Sequence, residues 1–114
     1  MGFKFERLEV WRLAIDFADA MFDIADRLPN QYQFSLGEQL RRASLSIPTN
    51  IAEGTGRDSG KESMYFYRIS KGSAYEVISL LVMLQKRSAI SEQEFQTHYQ
   101  TANKIAAMIS NLKF

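Results

Sequence analysis

The chain has 114 residues, with 14 Lys and Arg against 13 Asp and Glu and no cysteine. That length suits one domain over residues 1–114, which buries about two-thirds of its unfolded surface and needs no metal to fold. A net charge of +1 announces no nucleic-acid partner by itself, and the missing cysteines exclude disulfides, thiolate metal sites and cysteine nucleophiles.

The start, MGFKFERLEV, puts charges where a signal peptide needs an apolar core, and Glu6 breaks the myristoylation pattern after Gly2. No apolar run approaches the roughly 20 residues that span a bilayer. The expectation is a cytoplasmic protein with no membrane partner.

Periods near 3.6 dominate and predict four helices. The first covers residues 7–28 and carries two apolar stripes. One is Leu8, Trp11, Ile15, Ala18 and Phe22; the other is Val10, Ala14, Phe17, Met21, Ile24 and Leu28. Together they wrap roughly 200° at about 100° per residue, whereas covering one core takes about 100°. This helix therefore calls for a second partner, expected to be another copy of the chain. Trp11 is assigned to the core and the Phe17 stripe to the contact between copies. The remaining face, with Glu9, Asp16, Asp19, Asp23 and Asp26, reads as solvated, and Pro29 ends the helix.

The second helix is expected to start after Ser35, with Glu38 completing a capping box. It is expected to end at Gly54 as a left-handed cap. Pro48 lies inside it, removing one amide donor and crowding the carbonyl of Ser44. Asn50 falls on the apolar face of Leu36, Leu40, Ala43 and Ile47. Beside that face runs a polar seam of Gln39, Arg42, Ser46, Asn50 and Glu53. A buried Arg42 must pair, with Glu53 or Glu76 as its carboxylate. With Ser73 and Glu76 the seam reads as a structural network joining the second and third helices. Arg41 points about 100° away from Arg42, so the two cannot serve one ligand.

Ser59 and Glu62 form the next capping box and open a third helix over 60–87. Its inward face is Ser63, Phe66, Tyr67, Ser70, Ser73, Ala74, Val77, Leu81 and Leu84. Its outward face carries Lys61, Tyr65, Arg68, Lys71, Tyr75 and Lys86, extended by Arg57 in the preceding loop. Cations that neutralise phosphates, interleaved with rings that stack on bases, are what single-strand binding requires, so this is the candidate RNA or DNA surface. The competing reading is a solvated face with tyrosines at a subunit seam. The stretch GTGRDSGKES fails as a phosphate loop, because Thr55 and Glu62 occupy positions the pattern reserves for glycine and Ser or Thr.

Ser91 and Glu94 form a third box, with Ile90 and Phe95 spaced as a hydrophobic staple. The fourth helix covers 92–112 and turns Phe95, Tyr99, Ala102, Ile105, Ala106, Ile109 and Leu112 inward. His98, the one histidine, borders that face. It has no second histidine with which to build a common metal site, and no nucleophile–base pair assembles anywhere. No metal, cofactor or enzymatic activity is expected.

Short loops make consecutive helices antiparallel, so the fold class is all-α, an up-down-up-down four-helix bundle. Three patches also resemble a known family. They are Phe5, Leu8, Val10, Trp11 and Ala14; then Gln39-Leu40-Arg41-Arg42-Ala43, Ser46-Ile47-Pro48 and Asn50-Ile51-Ala52-Glu53-Gly54; then Phe66 through Gly72-Ser73 to Glu76. The chain resembles the bundle proteins encoded in intervening sequences of bacterial large-subunit ribosomal RNA genes, a family that includes the accessory protein of diversity-generating retroelements. The resemblance implies a ring-like homopentamer, a nucleic-acid role and no catalysis. The retroelement members are strongly basic, and this chain is close to neutral.

Overall fold

The computed structural model describes residues 2–113, and it is all-α. Four long helices carry the fold: α1 (Glu9–Asp26), α2 (Glu38–Thr55), α3 (Gly60–Lys86) and α4 (Glu92–Ser110). A 3-10 turn, Lys4–Arg7, precedes α1. A helical turn, Asn30–Tyr32, and a π turn, Gln33–Gly37, lead without a break into α2.

Side-chain bonds fix the helix directions. Going up α3, Ser63, Ser70, Ser73 and Glu76 bond in turn to Gly54, Ile47, Ser46 and Arg42, so α2 and α3 run antiparallel. Along α1, Phe17 meets His98 while Arg27 meets Glu94, so α1 and α4 also oppose. Each helix packs on two neighbours, which places α1 and α3 at opposite corners.

The Phe17 stripe, expected at a contact between copies, faces the core of the bundle. Phe17 is 3% exposed and sits in the core with Val10, Ala14, Met21, Ile24 and Leu28. In the other stripe Ala18 is buried, Leu8 and Trp11 pack half-buried on the core, and Phe22 is half-buried; Ile15 is exposed and, with Trp11, lines a groove beside α2.

The second helix begins earlier than its capping signal. The chain turns helical directly after Pro29, so Ser35 lies inside the π turn and donates to the Tyr32 carbonyl (3.4 Å) instead of capping. Gln33 takes over the boundary. Its Nε2 donates to the carbonyls of Ala25 (2.8 Å) and Leu28 (2.9 Å), and the first of these also accepts the Leu28 amide (3.2 Å) at the end of α1. Gly54 is no left-handed cap either, because no glycine has a positive φ among the described residues. The helix passes through buried Pro48 and ends one residue beyond Gly54.

The other capping signals fare better. Ser59 accepts from the Glu62 amide (3.2 Å), which is half of a box. Ser91 and Glu94 form the full reciprocal box. Ile90 is buried and Phe95 packs on the core, whereas Tyr99 is exposed rather than inward. α3 closes with Ser88 at φ 59°, and the Ala89 amide reaches back to the Leu84 carbonyl at 2.8 Å.

Candidate nucleic-acid interface

At 27 residues α3 is the longest helix of the bundle, and it packs chiefly on α2 and α4, diagonally across from α1. Lys61, Tyr65, Arg68 and Tyr75 are exposed along that face, and Lys71 is half-buried at its edge toward α4. Tyr65 and Tyr75 are each 58% exposed. Tyr65 packs edge-on against Phe66, and the Lys71 ammonium lies 5.9 Å from the centroid of the Tyr75 ring. A shallow hollow of about 250 Å³ between Met64, Tyr67, Arg68, Lys71, Ile109 and Ser110 carries the face onto α4.

The cations differ in what they are free to do. Arg27, Arg41, Arg42 and Arg57 are held in salt bridges. Lys61, Arg68, Lys71 and Lys86 are in none of the salt bridges among the described residues. Arg57 is thus brought near the face but committed: it pairs with Glu53 (2.6 Å) and stacks over the Phe66 ring at 4.4 Å. The same helix also exposes Ile69, Val82 and Met83, which sequence periodicity did not single out. Gly72 lies among them with open space where a Cβ would stand.

The polar seam is three separate groups. Arg42 donates to Gln39 (2.6 Å) and Glu76 (2.7 Å), but its side chain is 62% exposed, so the expected buried arginine is a surface one. Asn50 donates to the carbonyl (2.8 Å) and hydroxyl (2.9 Å) of Ser46, and Ser73 donates to the same hydroxyl (2.8 Å). Glu53 belongs to Arg57. The buried link between α2 and α3 is made elsewhere, by Ser63 and Ser70 donating to the carbonyls of Gly54 and Ile47, both at 2.7 Å. Hydroxyls in a helix face otherwise read as apolar were the signal for it.

The family described as 23S rRNA-intervening sequence protein matches residues 6–111. The chain belongs to that family. No curated protein matches the chain. The family match takes in all four helices of this 23S rRNA-intervening sequence protein, and with them the whole α3 face.

His98 is half-buried against Phe17; burial pushes its imidazole below the ordinary value, with Glu94 opposing that shift and Arg27 adding to it. No group of three His, Cys, Asp or Glu side chains among the described residues is placed to hold a metal ion. No helix among the described residues is long and apolar enough to cross a membrane.

Proposed function

We propose that this protein is a non-enzymatic, nucleic-acid-associated bundle that binds single strands through the outer face of α3. The observation that carries this reading is the set of salt-bridge-free cations, Lys61, Arg68 and Lys71, interleaved with two exposed rings, Tyr65 and Tyr75. Unneutralised cations release counterions when they meet phosphates, and exposed rings stack on bases of any sequence. The acidic residues of α1 lie at the opposite corner, where they repel a polyanion least. Membership in a family described by an rRNA intervening sequence is compatible with such a partner.

Fluorescence anisotropy with labelled single-stranded RNA and DNA at several salt concentrations tests this. Each phosphate lost with Lys61→Ala and Arg68→Ala should flatten the log–log salt slope by roughly 0.7. Tyr65→Ala or Tyr75→Ala should weaken binding by about 1–3 kcal/mol per stacked base and leave the slope alone. Absence of binding at low salt defeats the proposal.

A second reading is favoured by Ile69, Val82, Met83 and the open Gly72. Exposed apolar side chains beside a glycine that nothing in its own chain requires suit a contact between copies of the chain. On either reading the protein works as a homo-oligomer, with a pentamer as the state the resemblance implies.

A further inference from the structure

Phe34 is 90% exposed, more than any other large apolar side chain described. It projects from the π turn, beside a hollow formed with Asn30, Gln33, Glu38 and Arg41. An aromatic ring held in water this fully gains nothing for its own fold.

At the other end of the same helix pair lies an apolar groove of about 780 Å³. Phe3 and Phe5 stack at 5.8 Å, Phe5 leans on Trp11 at 5.0 Å, and Ile15, Pro48 and Ala52 complete the floor. The groove and Phe34 lie roughly 16 residues apart along α2, about 24 Å at 1.5 Å per residue. The ring therefore cannot reach the groove of its own chain.

We propose that Phe34 of one copy seats in the Trp11 groove of a second copy. Charge supports this occupant. Lys4 lines the groove and Glu38 lies beside Phe34, and neither has a salt bridge among the described residues. Seating the ring brings the two charges toward one another. One projection and one groove at opposite ends of each copy make a head-to-tail contact, and such contacts close into a ring when the rotation per copy permits. The proposal rests on the homo-oligomer reading above and adds a contact separate from the α3 face.

Trp11 is the chain's one tryptophan, so its emission reports the groove directly. Light scattering and Trp11 emission are followed together through a dilution series. The wild type should show a mass several times 13.1 kDa, and its emission should shift to the red as it dissociates. Phe34→Ser should be monomeric and red-shifted throughout, and should melt like the dissociated wild type because the ring packs on nothing in its own chain. Thr49→Arg, an exposed position on the groove wall, should behave likewise. Mixing the two variants should restore a pair of twice the single-chain mass, since one keeps the groove and the other the ring. An oligomeric wild type whose mass and emission survive Phe34→Ser overturns the contact and leaves self-association standing. A wild type that is monomeric at every concentration overturns both, and assigns the groove to a different occupant.

Discussion

Gly54 lies against the ring of Tyr67 so closely that a Cβ built on it would stand 2.4 Å from Tyr67 Cε1. The ring cannot swing away, being 3% exposed in the core. The Ser63 carbonyl, 3.1 Å from the same point, closes the other side.

Gly54→Ala should therefore destabilise the bundle. Alanine gains about 1 kcal/mol of helix propensity over glycine, but overpacking costs about 1–3 kcal/mol, and here part of the obstacle is backbone. Urea denaturation measures the balance. Adding Tyr67→Leu should recover part of the loss, because the two residues share one contact.

The surface position of Arg42 reverses the weight of the polar seam. An exposed ion pair such as Arg42–Glu76 contributes less than about 1 kcal/mol. Ser63→Ala and Ser70→Ala each remove a buried hydrogen bond, at about 1 kcal/mol apiece. The double serine variant should lower the urea midpoint more than Arg42→Ala does.

Ser88 holds a left-handed backbone that costs an L residue about 1–2 kcal/mol and costs glycine nothing sterically. Ser88→Gly should stabilise the protein by about 1 kcal/mol after the glycine's extra unfolded entropy is set against it. Tm should rise by about 4–8 °C for that gain.

Acid should act in two windows. His98 has a lowered folded pKa, so the unfolded chain binds its proton first, and stability falls as pH drops from about 6.5 toward the folded value. Burial opposes ionisation of Glu94, but the Ser91 amide and Arg27 outweigh it and hold the carboxyl below its ordinary range. Its contribution is complete above about 4.3 and is lost as pH falls through the folded value. His98→Gln should erase the upper slope and keep the lower one, read from urea midpoints across the acid range.

Local signals were legible in the sequence, and signals that depend on distant neighbours were not. The Ser91–Glu94 box involves residues three apart, and it stands as read. Gly54 was visible as a glycine near a helix end, but its purpose is set by Tyr67, which α3 delivers from the next helix. The wide apolar arc of α1 was legible from spacing alone. It did not show that Phe17 is more deeply buried than Trp11, because that depends on where the neighbouring helices lie. Lys61, Tyr65, Arg68 and Tyr75 emerge exposed on one side of α3 as periodicity required, with Lys71 half-buried at the edge, while Phe34 escaped notice because a π turn breaks the period that would have placed it.

The π turn has a consequence for the length of the chain. A π turn closes on the fifth residue rather than the fourth, so it holds one residue more than an α turn. Between Asn30 and Thr55 this chain thus carries a spare position. Removing one residue within 33–37 would leave an unbroken α-helix, with Leu40, Ala43, Ile47 and Ile51 still in phase with one another. Single-residue length variation, fatal to packing almost anywhere else in a bundle, has a place here where it can be absorbed.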